Sequence, residues 1–89
     1  MKTSIEISYY PMKDEFIPSI LDFVHRLKSY QTISVESNSM STQVFGDYEE
    51  LMAILTKEIK KSMEIPYSVF ILKVINSDLQ VHSNTPIDE

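Results

Sequence analysis

The chain has 89 residues, 43% of them apolar, and a formal net charge of −5. That length suits one domain, and the acidic balance argues against nucleic acid, whose binding rests on Lys and Arg displacing counterions. The sequence has no cysteine, which excludes disulfides, thiolate catalysis and Cys-based metal sites.

Thr3 to Tyr10 alternates, with Ile5, Ile7 and Tyr9 on one face and Ser4, Glu6, Ser8 and Tyr10 on the other. Period two in β-branched and aromatic residues reads as a strand with one face in the core. Pro11 ends it, because proline cannot donate to a ladder. Asp14 to Tyr30 reads as a helix whose apolar stripe is Phe16, Ile20, Phe23, Val24 and Leu27. Asp14 and Glu15 at its start and His25, Arg26 and Lys28 near its end suit the helix dipole. Pro18 requires the helix to begin close to it.

Ile33 to Glu36 reads as a short strand, Ser37 to Ser39 as a turn, and Ser41 to Phe45 as a third strand. Its phase stays open, since a slip of one residue exchanges its faces. Gly46, the only glycine, stands between that strand and a second helix, Asp47 to Met63. Asp47 and Glu50 have capping-box spacing. Tyr48, Leu51, Met52, Leu55 and Ile59 form the expected buried stripe, with Met40 and Met52 as core methionines. Tyr67 to Ile75 reads as a fourth strand, apolar on both faces apart from Lys73. A sheet with helices on one side does not need a second apolar face, so that face is expected to meet another subunit. Residues 1–79 are read as the domain and 80–89 as a polar tail.

The order β-α-β-β-α-β is the split βαβ pattern: a ferredoxin-like α+β fold, with two helices on one face of a four-stranded antiparallel sheet. No apolar run reaches the ~20 residues of a membrane span, and the N-terminus does not read as a signal peptide, so a cytoplasmic location is expected. His25 and His82 lack metal-ligand spacing. Ser41 and Thr42 have no G-x-S-x-G context; their hydroxyls either serve the turn's own backbone or read a ligand. Glu6, in mid-strand, is either solvated or covered by a subunit, and if covered it needs a partner. No catalytic or metal site is expected.

Two segments carry a family resemblance. Ile7 to Met12, I-S-Y-Y-P-M, resembles the first-strand motif of the YkoF-like thiamine-binding proteins. Ser39 to Gly46, S-M-S-T-Q-V-F-G, is similar to that family's I-S-T-x-x-x-G stretch. The resemblance implies strand order 4-1-3-2, association of domains through their sheets as a homo-oligomer (dimer or tetramer), and non-catalytic binding of thiamine or its hydroxymethylpyrimidine moiety in salvage or uptake, with a possible transporter partner. No cofactor beyond that ligand is implied. Carried over by position, it places Ser8, Tyr10 and Met12 beside Ser41 and Thr42. The serine and threonine hydroxyls would bond the aminopyrimidine, Tyr10 would stack on it, and Glu6 would offer charge to its amino group or to the thiazolium. The alternative is a ferredoxin-like oligomerisation or regulatory module without a thiamine ligand.

Overall fold

The computed structural model describes residues 1–80. Lys2–Pro11 forms β1, Ile17–Lys28 α1, Ser34–Ser37 β2, Thr42–Asp47 β3, Tyr48–Ser62 α2 and Ser68–Ile75 β4. The strands make one antiparallel sheet in the order β2-β3-β1-β4, the ferredoxin-like arrangement expected. The β1 alternation fixes the core. Ile5, Ile7 and Tyr9 are buried with Val44 of β3, Phe23 and Leu27 of α1, and Leu51, Ile54 and Leu55 of α2. The Tyr9 ring stacks on Phe70 at 4.2 Å and meets Phe23 edge-on at 5.5 Å, geometries that suit the aromatic quadrupole.

Register settles the phase of β3. Ile5 stands opposite Val44 and Ile7 opposite Thr42, so Thr42 and Val44 face the helices. Gln43, opposite Glu6, faces the other way. Burying Val44 on Ile5 is what selects this phase.

The helices depart from the simple stripes. α1 starts at Ile17, with Pro18 in its first turn and Phe16 at the cap position, so Asp14 and Glu15 lie outside it and no acid occupies the first turn. Phe16 is 46% exposed instead of core. On α2 the buried positions are Leu51, Ile54, Leu55, Glu58 and Ser62; Met52 and Ile59 only flank the core, and Tyr48 is exposed. The rotation follows from Glu58, which accepts hydrogen bonds from Arg26 Nη1 at 2.5 Å and Tyr30 Oη at 2.5 Å, while Arg26 also reaches Ser62. A carboxylate can sit inside a helix interface when donors surround it. Burial alone would raise its pKa, and the bonds from Tyr30 and Arg26 outweigh that and lower it.

Asp47 occupies the cap position of α2, but its side chain makes no capping bond. Its carboxylate instead lies 3.0 Å from the Met1 amino group, so the expected capping box does not form. Gly46 is no sharp turn either. It lies within β3 without a positive φ, and a Cβ there would come 3.2 Å from Ile33 Cγ2, so close packing is what a side chain would disturb.

The sheet face away from the helices carries Tyr10, Ser8, Glu6 and Ser4 of β1 opposite Val69, Ile71, Lys73 and Ile75 of β4. Val69 and Ile71 are 44% and 58% exposed. One end of this face is covered by the chain itself. After β4 the backbone folds back, Ser4 Oγ donates to the Ser77 carbonyl at 2.6 Å, and the Leu79 N–H donates to Ser4 Oγ at 2.9 Å. Gln80 Nε2 then donates to Glu36 at 3.2 Å. The start of the expected tail is thus strapped to the sheet, and 81–89 fall outside the described residues.

Candidate functional site

The structure brings the two motif segments together. β1 and β3 pair antiparallel as far as Ile7 opposite Thr42, so the chain leaving β1 and the chain entering β3 emerge side by side. There Tyr9, Tyr10, Met12, Phe16, Ser39 and Met40 border an open cleft of about 350 Å³, floored by Ile20. The walls are mostly apolar. Tyr10, Met12 and Phe16 are half-exposed, and Met40 is 89% exposed instead of core. The turn that presents Ser39 and Met40 is fixed by Asn38, whose Oδ1 accepts from the Met40 and Ser41 N–H groups at 2.9 and 3.1 Å. This is an Asx turn, a shape that Asn favours. One of the residues bordering the cleft carries a buried polar atom. The Tyr9 hydroxyl is buried with no hydrogen-bond partner among the described residues, an arrangement that costs free energy unless something supplies one.

Glu6 and Ser41 form a second cluster on the sheet face. Ser41 Oγ donates to Glu6 Oε2 at 2.9 Å and accepts from Gln43 Nε2 at 2.6 Å, and Lys73 Nζ lies 3.5 Å from Glu6 Oε1. The Ser41 hydrogen bond, then the Lys73 charge, holds the Glu6 carboxyl below its usual pKa. Glu6, Gln43 and Lys73 line a hollow of about 230 Å³ walled by Phe45, Ile75 and Leu79. Glu6 is four residues from Tyr10, about 13 Å along the strand at ~3.3 Å per residue. One ring cannot stack on Tyr10 and bond Glu6.

The six residues expected to share one pocket are therefore divided. Tyr10 and Met12 line the cleft. Glu6 and Ser41 bond each other on the sheet face, with half-buried Ser8 opposite Ile71 between the two places. Thr42 leaves the set. It points to the helix side, is 6% exposed, and its hydroxyl bonds Ser37 at 3.0 Å. Sequence reasoning placed Tyr9, Phe16 and Met40 in the core. Met40 stands inside the second motif and Tyr9 inside the first, so adjacency of the motifs was a signal for both.

The cleft continues along α1. Phe16, Ile20 and Ser39 also border an adjoining groove of about 430 Å³, which runs past Val24 to His25 and Lys28, with Ser37 and Asn38 across from the helix. His25 is exposed and lies at the rim of this groove. No group of three or more potential metal-ligating side chains occurs among the described residues, and no described helix is long and apolar enough to cross a membrane.

No family model and no curated protein matches the sequence. Solved structures do. A Streptococcus pneumoniae protein is 21% identical with a TM-score of 0.78, covering 89% of this chain and 90% of that one. A hypothetical protein of Methanocaldococcus jannaschii is 20% identical with a TM-score of 0.74, covering 90% and 84%. A Thermotoga maritima protein provisionally assigned to thiamine biosynthesis or salvage is 18% identical with a TM-score of 0.76, covering 90% and 85%. Likeness at such identities establishes the fold.

Proposed function

We propose that this chain is a non-catalytic binding protein for thiamine or its hydroxymethylpyrimidine moiety, serving salvage or uptake. The observation that carries the reading is the meeting of the two motif segments at one cleft of about 350 Å³. A flat, largely apolar ring with hydrogen-bonding edges suits its walls: Tyr10, Met12 and Phe16 offer apolar surface, and Ser39 offers a hydroxyl. The Thermotoga maritima neighbour's assignment points the same way. Among the described residues no carboxylate borders this cleft, so the neutral aminopyrimidine belongs there rather than the cationic thiazolium.

In this reading the Glu6–Ser41–Lys73 cluster serves the sheet face, where a sister molecule covers Ser8, Val69 and Ile71. The protein then works as a homo-oligomer, a dimer or a tetramer, and Glu6 and Lys73 of facing copies form the polar centre of an apolar contact. The same exposed residues of β4 favour a second reading, an association module with no ligand. Titration calorimetry with thiamine and with hydroxymethylpyrimidine separates the two. Saturable heat with either ligand supports the binding protein. Absence of heat and of any thermal shift at millimolar concentration, with an oligomer still formed, leaves the association module.

A further inference from the structure

Resting on the binding reading above, we propose that the groove beyond Ile20 is an anion subsite and that the ligand it takes is phosphorylated: an aminopyrimidine ring in the cleft, joined through a spacer to a phosphate that reaches His25 and Lys28. The groove is continuous with the cleft, because Phe16, Ile20 and Ser39 border both. Its charge is one-sided. The sequence holds 13 acidic and 8 basic residues, yet among the described residues no carboxylate lines either cavity, while His25 and Lys28 line the groove. Asp22, the acid nearest on α1, is turned to Arg26 at 3.0 Å. Neither Lys28 nor His25 makes an ion pair among the described residues. Ser37 and Ser39 also border the groove. A groove bordered by serines and by a Lys28 without an ion pair among the described residues attracts an anion and disfavours a bare cation such as unphosphorylated thiamine.

The length of the groove narrows the ligand further. Phe16, Ile20, Val24 and Lys28 recur every fourth residue, so they form one row facing the groove. Ile20 and Lys28 are separated by about 12 Å along the helix at ~1.5 Å per residue. A ligand whose ring lies near Ile20 must therefore carry its phosphate well along the helix to meet Lys28. A two-ring ligand with a terminal phosphate, the chemistry of thiamine monophosphate, spans it.

The test is calorimetry at low salt with thiamine, thiamine monophosphate, hydroxymethylpyrimidine phosphate and inorganic phosphate, on the wild-type chain and on Lys28→Ala and Lys28→Glu. An exposed ion contact corresponds to about a two- to fivefold change in affinity. Thiamine monophosphate is expected to bind about two- to fivefold tighter than thiamine and tighter than hydroxymethylpyrimidine phosphate. That preference should disappear in Lys28→Ala and reverse in Lys28→Glu, with thiamine itself held no more weakly by either variant. Equal affinities for thiamine and its monophosphate, or a preference that survives Lys28→Glu, overturn the subsite and leave the binding reading standing. Thiamine monophosphate and inorganic phosphate bound alike also overturn it, since the ring then contributes nothing. If no pyrimidine ligand binds, the reading beneath it fails as well.

Discussion

Tyr9→Phe should make the protein more stable. The ring does the packing: it stacks on Phe70 at 4.2 Å, meets Phe23 at 5.5 Å and is 9% exposed. Phenylalanine keeps all of these contacts. What it removes is a hydroxyl buried without a partner, and an unsatisfied buried polar group costs about 1–3 kcal/mol. Taking the low end of that range, removal should stabilise by about 1 kcal/mol. For a chain of this size that raises the melting temperature by about 4–8 °C. Urea titration of the two proteins gives the number. A Tyr9→Phe protein that is less stable than wild type refutes the reading of this hydroxyl as buried and unsatisfied.

Arg26→Met should cost about 3 kcal/mol or more in urea unfolding, because it strands the Glu58 carboxylate, whose side chain is 6% exposed; Arg26→Met with Glu58→Leu should recover most of the loss. Glu58 is held below its ordinary pKa of 4.5, so its contribution is present above that value and is lost as pH falls through the lower folded value; the wild type should therefore lose stability below about pH 4.5 more steeply than the double variant. Ser4→Ala removes the hydroxyl that ties Ser77 and Leu79 to the sheet and should cost about 1–2 kcal/mol, with faster amide exchange confined to residues after Ile75. Glu6→Gln should change ligand affinity by less than about twofold, since groups beyond ~10 Å rarely couple; a tenfold loss in calorimetry would move the ligand onto the sheet face.

The parts of the fold that were legible in the sequence are those set by short-range periodicity. The β1 alternation gave both faces correctly, because Ile5, Ile7 and Tyr9 can be buried only together. The start of α1 was misplaced because Asp14 and Glu15 resemble first-turn acids, whereas Pro18 fits within the first turn and the helix begins at Ile17. Glu58 was invisible, since its burial depends on Arg26 and Tyr30, 32 and 28 residues away, and a glutamate on a helix ordinarily reads as solvated. The phase of β3 depended on pairing Val44 with Ile5, a choice a strand of mixed polarity does not make alone. The site was half legible for the same reason. The motifs located the end of β1 and the entry to β3, but which side chains turn into the cleft follows from the Asx turn at Asn38 and from α1 closing over it.

The central claim is that a pyrimidine ligand enters the cleft where the motif segments meet. Two-dimensional NMR of isotope-labelled protein titrated with hydroxymethylpyrimidine and with thiamine tests it residue by residue. The account predicts saturable shifts concentrated at Tyr10, Met12, Phe16, Ser39 and Met40, with Lys73 and Ile75 unmoved. Shifts centred on Glu6, Gln43 and Lys73, or a spectrum unchanged at millimolar ligand, would contradict it.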